Sequence, residues 1–400
     1  MKKLILLVLI ILYSFTTSNA QWVSANGPYG ATILCFANSG TTVFAGTNQA
    51  GLFLTTNNGT NWSATGFANQ TVYSLASNET SLFAGTTVGI SRSSNNGANW
   101  TTVYNSSSII FKSLALNGSY VFAGTNGFGV LRSTNNGDNW TFINNALSYF
   151  HVSSLLVSGA NIFAATNGGV FLSTDNGLSW SATNNGLMDL SANILAASGI
   201  NLFVGTVGGG IFISSINGGN WTVLNNGLTN WYIRALAVSE SNTFIANSNG
   251  VFLSKYTGST WVNRNQGFGT VPAINTFIIA NNYIFAGTVN QSIWRRSLTE
   301  IITGTENISR TIPETYSLMQ NYPNQFNPTT NIRYAIPRSG TIKLVVFDGL
   351  GREVETLVNE SQQAGTYEAK FNGSNYPSGV YYYHLTSGDF KSVKKMMMVK

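Results

Sequence analysis

Through the first three-quarters of the chain, short apolar runs recur in a fixed order, separated by Gly, Asn, Ser and Thr. A stretch such as Val72-Tyr73-Ser74-Leu75-Ala76 or Ile233-Arg234-Ala235-Leu236-Ala237 comes first. A short polar turn leads to Phe-Ala-Gly-Thr or a close variant, opened in turn by Phe44, Phe83, Phe122, Phe163, Phe203, Phe244 and Phe285. A third run, such as Gly169-Val170-Phe171-Leu172-Ser173, passes through a tight turn to a tryptophan that opens a fourth. Runs this short, bounded by turn residues, predict strands rather than helices, four to a unit.

The unit length is close to constant. Trp22, Trp62, Trp100, Trp140, Trp180, Trp221 and Trp261 are spaced by 40, 38, 40, 40, 41 and 40 residues. A period in this range marks supersecondary units that bury their faces only by stacking on neighbours. Seven phenylalanines and seven tryptophans predict a seven-bladed β-propeller over residues 21–299. The array opens with Trp22, a fourth-strand residue, and ends on Phe285 and Ile293-Trp294-Arg295 without a tryptophan beyond them. The N-terminal strand is therefore expected to complete the seventh blade, which removes free sheet edges.

Composition narrows the partners. Only 8% of the 400 residues are charged. Residues 21–300 hold eight Lys/Arg against six Asp/Glu, so the repeats offer no polyanion-binding face and nucleic acid is excluded as a partner. Cys35 is the only cysteine and lies in the apolar run Ile33-Leu34-Cys35-Phe36-Ala37, which reads as a buried thiol. Lys2-Lys3, the apolar run from Leu4 to Tyr13 and Ser18-Asn19-Ala20 read as a secretory signal over residues 1–20. Ten apolar residues are too few to span a bilayer, and no transmembrane segment is expected elsewhere. His151 and His384 fall in different domains, so no metal or other cofactor is expected.

The turn before the tryptophan carries the most specific local pattern. Ser173-Thr174-Asp175-Asn176-Gly177-Leu178-Ser179-Trp180 fits S-x-D-x-G-x-x-W in full. Asn57-Gly59-Trp62, Asn95-Gly97-Trp100 and Asn135-Gly137-Trp140 keep the acceptor oxygen without the charge. The acid is expected to cap backbone N–H groups about two residues on, and the glycine to supply positive φ. Ile216 and Tyr256 stand at the acceptor position in two further copies and should leave looser turns. On these motifs residues 21–298 resemble the Asp-box (BNR, sialidase-like) propellers. That group includes sialidases, sortilin-type receptors, photosystem II assembly factors and xyloglucan-cleaving glycosidases.

From Tyr316 the period stops and Pro, Lys and Glu rise; residues 300–315 read as a linker. The tail holds Asn321-Tyr322-Pro323-Asn324-Gln325-Phe326-Asn327-Pro328, then Asp348-Gly349-Leu350-Gly351-Arg352. Gly379 follows in Ser378-Gly379-Val380-Tyr381, and the chain ends in a run that includes Lys395 and Lys400. Alternating strands with Asp-Gly and Ser-Gly turns predict a small Ig-like β-sandwich of about seven strands over residues 316–400. The same residues resemble the type A C-terminal sorting domain of the type IX secretion system, with Gln325 where that family usually has proline. The resemblance implies that the secretion machinery is a partner. It also implies Sec export followed by delivery to the surface of a Gram-negative bacterium or to the medium.

Catalysis finds little support. Glycoside hydrolysis needs two carboxyl groups flanking one bond. The acids of the repeats are Glu79, Asp138, Asp175, Asp189, Glu240 and Glu300. In Asp-box propellers the boxes lie opposite the catalytic face, which leaves Asp189 alone on the other side. Arg92, Arg132 and Arg295 share one third-strand position in blades 2, 3 and 7, so they read as structural, with packed stems and solvated heads. The loops entering the first strands carry a repeated Asn-Asn-Gly-Leu element (184–187, 225–228) and then diverge. Tyr149-Phe150-His151, Met188-Asp189-Leu190 and Trp231-Tyr232 are expected to line one arc of the channel mouth. Tyr149, Phe150, His151, Asp189, Trp231 and Tyr232 are thus the candidate site for a glycan or protein ligand. Three functions remain open: a secreted or surface-displayed non-catalytic binding module, a structural surface protein, and an extracellular glycoside hydrolase of sialidase or xyloglucanase type.

Overall fold

The computed structural model describes residues 21–400 except 79, 216, 256–259, 304, 305, 310–312 and 363. The signal sequence and the turn positions Ile216 and Tyr256 lie outside the described residues. The chain forms two compact units, Gln21–Ile302 and Thr303–Lys400.

The first unit consists of seven four-stranded antiparallel sheets. Blades 1 to 6 begin with the inner strands Ile33–Ser39, Val72–Ser77, Phe111–Asn117, Val152–Ser158, Ala192–Ser198 and Ala235–Ser239. Blade 7 begins with Ile274–Ala280, and its fourth strand is Val23–Ser24, which pairs with Ile293–Ser297 in the register Val23 to Arg295. Both residue series that set the period sit between blades. Phe44, Phe83, Phe122 and Phe285 are fully buried. Each faces the box glycine of the next blade: a Cβ on Gly97, Gly137, Gly177 or Gly59 would lie 2.9–3.4 Å from the corresponding ring.

The glycine of Phe-Ala-Gly-Thr has the same kind of origin. A Cβ on Gly46, Gly205 or Gly287 would come within 2.6–2.8 Å of Val72, Ile233 or Ile33, at the entry to the next inner strand. Contact between blade 7 and blade 1 therefore repeats the contact between consecutive blades. Close-packed interiors leave no room for a methyl group at such a point.

In the box turns the acceptor reaches further than expected. Asp175 Oδ1 accepts the Ser179 N–H four residues on at 2.9 Å, and Asn57, Asn95 and Asn135 do the same at 2.9–3.0 Å. The first residue of the motif has a role of its own: the Ser173 hydroxyl donates to Asp175 at 2.7 Å and accepts the Gly177 N–H at 2.7 Å. Asn176 and Gly177 have φ of 56° and 84°, the paired left-handed conformation that Asn-Gly adopts most readily in a tight hairpin.

The second unit contains two four-stranded sheets. One orders Glu306–Ser309, Gly365–Asn372, Thr329–Ile336 and Ser317–Leu318; the other orders Glu353–Gln362, Gly340–Asp348, Gly379–Ser387 and Phe390–Met398. Buried residues from both, including Ile332, Tyr334, Leu344, Phe371 and Tyr383, form one core, as in an Ig-like sandwich. The expected linker is corrected here. Leu298–Thr303 is a helix, and Glu306–Ser309 pairs with Gly365–Asn372 as an additional strand. Its Glu-Asn-Ile-Ser sequence is too short to show an alternation.

Candidate functional site

The candidate arc is built where three loops enter the inner strands of blades 4, 5 and 6. Phe150, Leu190 and Trp231 each stand two residues before the buried opening residue, Val152, Ala192 or Ile233. The Phe150 carbonyl accepts the N–H groups of Gly127 and Gly129 at 3.0 and 2.8 Å, and the Trp231 carbonyl accepts that of Gly210 at 3.0 Å. Main-chain bonds thus fix the loops while the side chains stay in water: Phe150 is 46% and Trp231 52% exposed. Tyr149, Met188 and Tyr232 are exposed as well. The Tyr149 ring lies flat on Gly168, where a Cβ would sit 2.0 Å from it, and also meets Phe171.

The Asp189 carboxylate is engaged by main-chain amides. Its Oδ2 accepts the N–H groups of Gly208 and Gly209 at 2.6 and 2.8 Å, and its Oδ1 that of Ser191 at 3.0 Å. Partial burial opposes ionisation, yet these donors and the Thr206 hydroxyl hold the carboxyl below the usual aspartate range. Its partners lie about twenty residues on in the next loop, beyond the reach of local pattern reading.

His151 is half-buried, and its Nδ1 lies 3.3 Å from the Ser153 hydroxyl. Burial and the nearby Lys112 charge press its pKa down from the usual histidine range. Lys112 and Arg234 were not singled out in the sequence. Both follow the opening residue of an inner strand, and the Arg234 guanidinium lies over the Tyr232 ring at 5.1 Å. A charged residue at that repeat position, where the other blades carry Leu34, Tyr73, Ser153, Asn193 and Asn275, was the available signal.

The three arginines that share a third-strand position are engaged between blades. Arg92 and Arg132 donate to the carbonyls of Asn136 and Asn176 in the next blade's box turn at 2.6 and 2.8 Å, and Arg295 likewise to Asn58. Their heads are therefore tied down between blades rather than solvated, which corrects that expectation. Arg92 also pairs with Asp138 at 2.8 Å. A depression of about 430 Å³ is lined by Ser81, Arg92, Asn95 and Asn136, of which Asn136 already bonds Ser81 and Arg92. Among the described residues, no group of three His, Cys, Asp or Glu is placed to hold a metal ion.

In the tail, Asn321 is buried and its amide donates to Thr330 Oγ1 and to the Pro323 carbonyl at 2.9 and 3.0 Å. The Tyr383 hydroxyl accepts the Asn321 N–H at 2.8 Å and donates to the Met319 carbonyl at 2.9 Å. Phe326 is buried against Phe371, and its backbone bridges Met397 and Val399. The Pro328 carbonyl accepts the Gly373 N–H at 2.8 Å, which anchors the Asn327-Pro328 step. Gly379 pairs with Met398, and Lys395 with Tyr382. Lys400 Nζ donates to the Ser374 carbonyl at 2.8 Å.

Residues 104–230 match the DUF6242 beta propeller domain, and residues 320–400 match the Secretion system C-terminal sorting domain. No protein of curated function matches the chain. Among solved structures, YCF48 bound to D1 peptide is 17% identical, covering 69% of this chain and 94% of its own, with a TM-score of 0.56. The GH74 enzyme of Niastella koreensis is 14% identical, covers 95% and 75%, and has a TM-score of 0.57. PorZ, a surface component of the type-IX secretion system of Porphyromonas gingivalis, is 13% identical, covers 94% and 60%, and has a TM-score of 0.53. At such identities these likenesses show the fold alone. Among the described residues, no helix is long and apolar enough to cross a membrane. The chain is a β-propeller protein whose C-terminal sorting domain directs it, through type IX secretion, to the cell surface or beyond.

Proposed function

We propose that the propeller is a non-catalytic binding module that takes a glycan or a protein segment at the mouth of its channel. The reading is supported by the exposed rings of Tyr149, Phe150, Trp231 and Tyr232, borne on loops fixed by main-chain bonds. Rings held rigidly in water bind flat sugar faces or apolar side chains at little ordering cost. His151, Lys112 and Arg234 add polar contacts at the edge of the arc. Asp189 positions the blade 5 loop through the Gly208 and Gly209 amides.

Glycan and peptide arrays probed with the full chain test this function. Binding that drops at least tenfold in Trp231→Ala and Tyr232→Ala supports it, and binding unchanged in both removes the site. The shared GH74 fold favours one competing reading, a glycoside hydrolase. Release of reducing sugar from xyloglucan or sialoglycans by the purified chain would establish that reading instead.

A further inference from the structure

We propose that the export machinery grips one pole of the sorting domain, using Tyr322 and Leu350 as two apolar anchors. Segments far apart in sequence meet there. Thr329 pairs with Asn372, Asp348 with Tyr381 and Gly379 with Met398, so the ends of five long strands lie together. The 321–328 loop closes onto the same end: the Phe326 N–H donates to the Met397 carbonyl at 3.1 Å and the Val399 N–H to that of Phe326 at 3.0 Å. Lys400 is held against the 374–378 loop, with its N–H on Ser378 Oγ at 3.0 Å.

At this pole Asn321 and Phe326 face inward, each 2% exposed. Tyr322 and Leu350 are the most exposed large apolar residues there. The Tyr322 N–H and carbonyl are both bonded to Asn331, at 2.9 and 3.0 Å, while its side chain is 82% exposed. Leu350 is 81% exposed at the tip of a turn locked by Asp348, whose Oδ1 accepts the N–H groups of Leu350 and Arg352 at 2.9 and 3.0 Å. A fold that fixes the backbone so firmly while leaving large apolar side chains in water gains from a partner that covers them.

The partner is the secretion machinery, because this domain is the sorting signal. The chemistry it must offer is a pair of apolar recesses, one for an aromatic and one for a branched aliphatic side chain. The competing surface is the edge strand Phe390–Met398, open to pairing by strand addition. That edge carries Lys391, Lys394 and Lys395, the usual guard against strand pairing, which favours the pole.

The test uses the full chain, expressed in a bacterium with an active type IX system and followed in periplasmic, surface and medium fractions. The double variant Tyr322→Ser, Leu350→Ser should accumulate in the periplasm, with the exported fraction falling by about tenfold or more, the change expected from losing one good contact. Its melting temperature should match the parent, since both side chains are already in water. Val393→Ser, half exposed on the edge strand, should be exported as the parent. Normal export of a double variant with an unchanged melting temperature overturns the proposal, and so does a block of equal size in Val393→Ser. Should the double variant melt lower, the single variants decide: export as the parent by both overturns the proposal.

Discussion

Trp22 donates its indole N–H to the Arg264 carbonyl across 2.7 Å, and its backbone N–H to Gln266 across 2.7 Å. Trp180, Trp221 and Trp261 make the same pair of bonds to the segment just after the last strand of the blade before their own, through Ile143 and Asn145, Thr183 and Asn185, and Leu224 and Asn226. The first tryptophan thus occupies, across the whole length of the repeats, the place its counterparts hold between sequence neighbours. Trp62, Trp100 and Trp140 are only half-buried, and the latter two bond the glycine carbonyl of their own turn.

Trp22→Ala should therefore destabilise the first unit by about 3–5 kcal/mol, the usual cost of emptying a fully buried large aromatic site. Trp140→Ala should cost clearly less. Urea unfolding of the full chain followed by intrinsic fluorescence measures both. A Trp22→Ala loss below that of Trp140→Ala would show that the N-terminal strand is peripheral.

The contact of Gly205 with Ile233 yields a second test. A methyl at residue 205 would sit 2.6 Å from Ile233 Cγ2, so Gly205→Ala should destabilise by about 1–3 kcal/mol through overpacking. Ile233→Ala should cost about 2–5 kcal/mol as a cavity. Together they recreate the Ala165 and Ala192 pair already present between blades 4 and 5, and the double variant should cost less than the sum by about 0.5–3 kcal/mol. Strict additivity would mean that the two residues do not limit blade spacing.

These relations explain which features could be read from the sequence. The Phe series was visible because each residue is buried between blades in every repeat, so burial forces the same residue type at the same interval; the Trp series keeps that interval although its hydrogen bonds differ between repeats. The Arg92 and Arg132 bonds were not, because their acceptors are main-chain carbonyls 44 residues away, which leave no mark on residue choice. Asp189 hides its bonds for the same reason. Its partners are the amides of two glycines, and glycine in a turn-rich sequence signals nothing specific.

Asp175 predicts a pH effect confined to one blade. Hydrogen bonds from Ser179 and Ser173 lower its carboxyl pKa to about 2. The folded pKa is depressed, so the stabilisation is present above the unfolded value near 4 and is lost as pH falls toward 2. Asn at the same position in blades 1, 2 and 3 does not titrate. The melting temperature of the parent should exceed that of Asp175→Asn at pH 6, and the gap should narrow between pH 5 and pH 2. A constant gap would show that the charge contributes nothing, a fair outcome to guard against for an exposed group.

Tyr383 predicts a defect in the sorting domain. Tyr383→Phe removes the acceptor of the buried Asn321 N–H and should cost about 1–3 kcal/mol, the range for a buried donor left unpaired. Burial raises the phenol pKa to about 12, so the neutral hydroxyl persists across the working range and the deficit should not change between pH 6 and 9. Differential scanning calorimetry on the full chain resolves this as a shift of the sorting-domain transition. A shift that shrinks at alkaline pH would place the hydroxyl in a different environment.

Asp189 carries the last prediction, because it separates positioning from binding. Its carboxylate holds the Gly208 and Gly209 amides, and the neighbouring Gly210 amide is bonded to the Trp231 carbonyl. Asp189→Ala should speed hydrogen exchange at residues 208–210 by about tenfold, the equivalent of one charge-assisted bond discounted for partial exposure. Asp189→Asn keeps an acceptor and should have the smaller effect. The pKa of Asp189 is depressed, so protection in the parent should be complete at neutral pH and fall as the carboxyl is protonated in acid, whereas the alanine variant should lack that added dependence. Because Asp189 meets the arc only through main chain, its loss should weaken any ligand held by Trp231 less than Trp231→Ala does. If the two losses are equal while exchange at residues 208–210 stays unchanged, the carboxylate itself touches the ligand.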